Sequence, residues 1–125
     1  MRELTSHKVN GCNQQLQIEV LDEPGHGGAC HEYIITTPPP ELPTGSAMSF
    51  NISFQNGPIK EVGTNGVTHE ALLAIVVDRL LCFQAGPYAC RENALALTKI
   101  QEAMFWLKSR TEARLARGVE GTHAK

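Results

Sequence analysis

The chain is poor in the features that announce secreted, membrane or catalytic proteins. Its four cysteines, Cys12, Cys30, Cys82 and Cys90, form no CxxC pair and read as reduced thiols. A disulfide between Cys82 and Cys90, which flank an expected turn, is the alternative. No apolar run approaches the length needed to cross a bilayer, so no membrane partner is expected. The opening MRELTSHKVNGCNQQ lacks an apolar signal-peptide core, which makes the cytoplasm the expected compartment. GxSxG, HExxH, P-loop and GxGxxG patterns are all missing, so no catalytic residue and no cofactor is nominated. His26, Cys30 and His31 cluster in the stretch PGHGGACH, but they lack a fourth ligand and the spacing of a zinc site. No metal is therefore expected. Asp22 and Glu23 are adjacent, and adjacent carboxylates rarely converge on one substrate. A net charge of −2 argues against DNA or RNA polymers as partners, so any positive patch must be local.

What is present divides the chain in two. With 125 residues and 42% apolar content, one domain spanning 1–125 with a modest core is expected. Residues 14–62 carry strand chemistry. Leu16, Ile18 and Val20 alternate with Gln15, Gln17 and Glu19, Tyr33–Ile35 are flanked by strand formers, and Met48, Phe50, Ile52 and Phe54 alternate with polar neighbours. The connections EPGHGG and PPPELPTGS are too short for helical crossovers, which predicts a small antiparallel sheet of three or four strands. Residues 67–117 are helical. Thr68 is the expected N-cap of EALLAIVVDRLLCF, a run apolar around most of its circumference. Such a helix should be buried by the sheet, the next helix and another subunit. Gly86-Pro87 turns the chain into a second helix that runs to Arg117 and stops at Gly118, with the remaining RGVEGTHAK fraying or draped over a neighbour. The fold class is thus α+β: an N-terminal antiparallel sheet followed by an antiparallel two-helix hairpin, in an oligomer. FQNGP at residues 54–58 and FQAGP at 83–87 read as one turn chemistry used twice.

Binding residues are easier to nominate than catalytic ones. On a helix, Arg110, Arg114 and Arg117 fall within an arc of about 60°. Ala103 and Trp106 share that arc, so the guanidinium groups line up with a packing stripe. They should meet an anion, a carboxylate such as Glu112 or Glu120, or an interface; a solvated helix end is the plainer alternative. Phe83, at the end of the apolar helix, is either a core contact or a ring that stacks on a nucleobase. The Asn93 amide reads a base edge or ribose, or bonds a nearby backbone group. Lys60 and the loop Gly63, Thr64, Asn65, Gly66 lead towards a helix N-terminus, a candidate phosphate cradle.

The segment FQNGPIKEVGTNGVTHEALLAIVVDRL with FQAGPYACRENALALTKIQEAMFWLKSRTEARLARGVEGT resembles phage proteins that defeat Thoeris immunity by sequestering its cyclic ADP-ribose-type signal. Their helical hairpin is shared with anti-CBASS sponges that take up cyclic oligonucleotides. The resemblance covers residues 50–122, and the N-terminal sheet fits the Thoeris-type member. It implies a non-catalytic small-molecule sponge in an infected bacterial cell, assembled as dimers within a hexamer; an oligomeric protein that binds a host protein, or a small nucleotide-processing enzyme, is the alternative. It also implies that a glycocyclic ADP-ribose isomer sits between subunits against Phe83 and Asn93, with Lys60 and the loop Thr64, Asn65, Gly66, Val67 as further contacts. Arg110 and Arg114, with Arg117 beside them, would serve a separate cyclic-trinucleotide site where several subunits meet.

Overall fold

The computed structural model describes residues 1–39 and 45–124; the part of the PPPELPTGS connection at residues 40–44 lies outside them. The chain forms two compact units. The first comprises residues 1–57 and 64–66, the second residues 58–63 and 67–125.

The first unit is a four-stranded antiparallel meander in the order β1 (Arg2–Leu4), β2 (Gln17–Val20), β3 (Glu32–Thr36), β4 (Ser49–Ser53). Its register follows from the alternation in the sequence. Leu4 pairs Ile18, Ile18 pairs Ile35 and Ile35 pairs Phe50, a continuous apolar row across all four strands. Val20, Tyr33 and Ile52 form the next row on the same face, because side chains two residues apart share a face. Glu3, Glu19 and Asn51 take the other face, with Ile34 among them. Val20 is fully buried, and Tyr33 meets Phe54 edge-to-face at 5.6 Å. Three short elements escape the periodicity: β1, helix α1 (Gly11–Gln15) capped by the Asn10 side chain, and a 3-10 turn at His26–Gly28. Each is too brief to show a hydrophobic period.

The glycine-rich PGHGGACH stretch is a turn clamped by Asp22. Its carboxylate accepts the backbone N–H groups of His31 (2.9 Å) and Glu32 (3.1 Å). These bonds hold its pKa below the ordinary aspartate value; the His31 N–H contributes most, and partial desolvation opposes it. Cys30 donates its thiol to the Asp22 carbonyl, and all four cysteines are free.

The second unit contains α2 (Ile59–Val62) and the hairpin of α3 (His69–Ala85) and α4 (Arg91–Arg117). Thr68 caps α3, its hydroxyl accepting the Ala71 N–H at 3.1 Å. The second helix starts at Arg91 rather than directly after Gly86-Pro87, because the Gln84 side chain holds both the N–H and the C=O of Cys90 (3.1 Å each). Cys90 then caps α4 through its sulfur. In the other FQxGP turn Gln55 bonds two different residues, donating to the Gly57 carbonyl and accepting from the Asn65 N–H. Gly57 has φ 95° whereas Gly86 has φ −115°, so the echo in sequence is not one turn used twice. Gly118 ends α4 in the left-handed region (φ 73°), with the Val119 N–H reaching back to the Arg114 carbonyl.

In the second unit α3 packs against α4, and within the single chain none of its residues is buried; Ile75 is 67% exposed, and on α4 Phe105, Trp106 and Leu115 are equally open. A further expectation needs correction: among the described residues the C-terminal segment does not fray but folds back onto its own helix. No helix among those residues is long and apolar enough to cross a membrane.

Candidate functional site

The C-terminal half of α3 and the turn that follows it form a cleft of about 580 Å3, lined by Ile75, Asp78, Arg79, Cys82, Phe83, Gly86, Pro87 and Tyr88. Helical spacing builds it. Ile75, Arg79 and Phe83 lie four residues apart and share a face, and Asp78 and Cys82 lie on the adjoining row. The Phe83 ring is half-buried, with the Arg79 guanidinium 5.1 Å from its centroid. Tyr88, 74% exposed, stands edge-on to Phe83 at 6.5 Å. Two aromatic rings and one cation thus line an apolar wall whose size falls within the range of small-molecule sites.

Sequence reasoning nominated Phe83 here but missed Arg79 and Tyr88. Arg79 was legible as the residue four before Phe83 on one helix face. Tyr88 sits in the turn, where no periodicity reports a side chain's direction. Asn93 is partly buried in the first turn of α4, its backbone N–H bonded to the Cys90 sulfur at 3.4 Å, and is not among the residues lining the Phe83 cleft.

The loop nominated as a phosphate cradle is internally bonded. The Asn65 side chain accepts from the Asn56 N–H (2.8 Å) and donates to the Asn56 carbonyl (2.7 Å), while the Asn65 N–H goes to Gln55 (2.9 Å). Gly66 lies so close to β4 that a Cβ there would meet the Phe54 carbonyl carbon at 2.5 Å. Thr64 and Val67 are exposed. Lys60 lies on α2, its backbone N–H donating to the Gly121 carbonyl.

The arginine stripe separates into different environments. Arg110 and Arg117 are exposed, but Arg114 is only 8% exposed. Arg114 Nε donates to the Glu120 carboxylate at 2.9 Å, and its Nη atoms donate to the carbonyls of Val119, Thr122 and Ala124. Of the alternatives open for the stripe, Arg114 has met a carboxylate, within its own chain.

Together these features define a class: an α+β chain whose helical hairpin carries an open aromatic–arginine cleft and a cationic end. Residues 47–112 match the family described as Acb2/Tad1, hairpin domain. The chain belongs to that family, the one to which its sequence resemblance pointed. It is also similar to "Thoeris anti-defense 1" of Bacillus phage SBSphiJ7, with 54% identity over 74 residues, covering 59% of this chain and 52% of the relative. The chain spans about half the length of that curated relative.

Proposed function

We propose that this protein is a phage anti-defence sponge. It binds and holds, without cleaving, glycocyclic ADP-ribose isomers that signal in Thoeris immunity. The observation that carries this reading is the Phe83 ring, half-buried in an open cleft with Arg79 at 5.1 Å. An ADP-ribose-type ligand brings an adenine ring, two phosphates and ribose hydroxyls. The Phe83 face stacks on the base, Arg79 offers parallel N–H donors to phosphate, and the Asp78 carboxylate accepts from hydroxyls. The name of the phage relative points the same way. For Asn93, Lys60 and the Thr64–Val67 loop the assignment rests on the family resemblance.

The same reading includes a second site for CBASS cyclic oligonucleotides at the arginine end of α4, where Arg110 presents an exposed guanidinium. It also includes assembly of dimers into a hexamer, which the exposed Ile75, Phe105, Trp106 and Leu115 support, since apolar surface of that kind is usually covered. Equilibrium dialysis of a cyclic ADP-ribose isomer tests the first site. Phe83→Ala is expected to weaken binding about 10- to 100-fold, the value of one base–aromatic stack. Unchanged affinity contradicts the assignment. Arg110→Ala should remove cyclic-trinucleotide binding while leaving the first ligand bound; equal loss of both ligands rejects two separate sites.

A further inference from the structure

The tail that follows α4 holds Arg114 in a way that bears on any anion arriving at the arginine end. A guanidinium has five N–H donors, and four of those of Arg114 are occupied by residues 119–124. A phosphate takes two parallel N–H groups from an arginine. With one left, Arg114 cannot form that fork while the tail is in place. Glu120 supplies the negative charge that a phosphate would otherwise bring, with the Arg114 and Glu120 side chains 10% and 32% exposed.

The tail is also tied to α2. The Lys60 N–H donates to the Gly121 carbonyl at 3.1 Å, and His123 Nε2 lies 2.8 Å from the Glu61 carboxylate. Lys60, Glu120 and Gly121 line one groove of about 300 Å3 with Ile59, Leu115 and Gly118. Val119 is the only sizeable apolar residue between Gly118 and Ala124, so polar bonds, chiefly those of Arg114, hold the segment down. Opening the segment therefore means replacing those bonds, which an arriving phosphate can do for the guanidinium.

We propose that the C-terminal tail is a displaceable latch: Glu120 acts as an internal anion that occupies Arg114 until the phosphates of a cyclic nucleotide take its place. Displacement frees Arg114 and releases the Gly121 bond to Lys60, so a polyanion at the arginine end is read out at α2. The proposal rests on the second-site reading above. It adds that apparent affinity there equals intrinsic affinity scaled by the fraction of open tail.

The test uses the full chain with cyclic triadenylate as probe. Glu120→Gln keeps the side chain's shape and an acceptor for the charged guanidinium but removes the carboxylate's negative charge. It is expected to tighten binding about fivefold, the upper value of a partly exposed ion pair. In the unaltered protein, saturation with cyclic triadenylate should accelerate hydrogen exchange at the Lys60 and Thr122 amides, whose acceptors are Gly121 and Val119 in the tail. Binding that Glu120→Gln leaves unchanged or weakens, or tail protection that ligand leaves intact, overturns the latch while the second site stands. Failure of both proteins to bind the probe removes the second site, and the latch with it. Binding by Glu120→Gln alone supports a latch that is firmly closed.

Discussion

In the sheet, alternation gathers the apolar side chains on one face, and Val20 ends fully buried within the chain. In the hairpin the apolar residues are more numerous, yet α3 buries none of them and Trp106 on α4 is 63% exposed. A sheet with one apolar face needs one cover. A helix apolar around its circumference needs cover on several sides, and one neighbouring helix supplies only one. The sheet buries Val20 completely while leaving Phe50 50% exposed, whereas α3 of the hairpin buries none of its residues and presents surface suited to other molecules.

That contrast breaks most visibly at Trp106. If the open hairpin face is an oligomer interface, Trp106→Asp converts the assembly to smaller species in sedimentation velocity, with little change in far-UV circular dichroism. A monomeric unaltered protein would remove the contrast's explanation. The first unit should respond to packing changes through stability instead. Gly66→Ala places a methyl group against the Phe54 backbone and is expected to cost about 3 kcal/mol in urea unfolding, as overpacking against an immovable neighbour does. Val20→Ala should cost about 2 kcal/mol from lost burial and the cavity left behind. A negligible loss at either position would show that the sheet is as loosely packed as the hairpin.

The smallest effect concerns acid. The folded-state pKa of Asp22 is lowered, first by the His31 N–H, so its contribution is complete above the unfolded value and is lost as pH falls through the folded one. Below about pH 4 the clamp on the β2–β3 turn should weaken, and Asp22→Asn should flatten that acid limb in a pH series of thermal unfolding. An identical acid limb in the variant would assign the acid response elsewhere.

Much of this fold was legible before the structure. Period-2 alternation located β2 and β4, a run of strand-forming residues located β3, and Thr68 and Gly118 marked the ends of the hairpin through their capping chemistry. β1, α1 and α2 were not legible, because three to five residues carry less than one full hydrophobic pattern. At the candidate cleft, Phe83 stood out by its place at a helix end, whereas Tyr88 depends on a turn whose shape Gln84 fixes from outside it. Arg114 shows the limit of helical geometry most clearly. Its spacing from Arg110 and Arg117 put three cations on one face, but the tail that claims Arg114 has no period of its own, only a glycine stop followed by carbonyls and one carboxylate.

The central claim is that the protein holds its ligand intact. Incubating it with a cyclic ADP-ribose isomer, removing the protein-bound fraction, and then heating that fraction to denature the protein tests this in one series. Mass spectrometry should find the free ligand depleted before heating and the same unmodified ligand returned after it. Recovery of a cleaved nucleotide, or no depletion at all, would contradict the account.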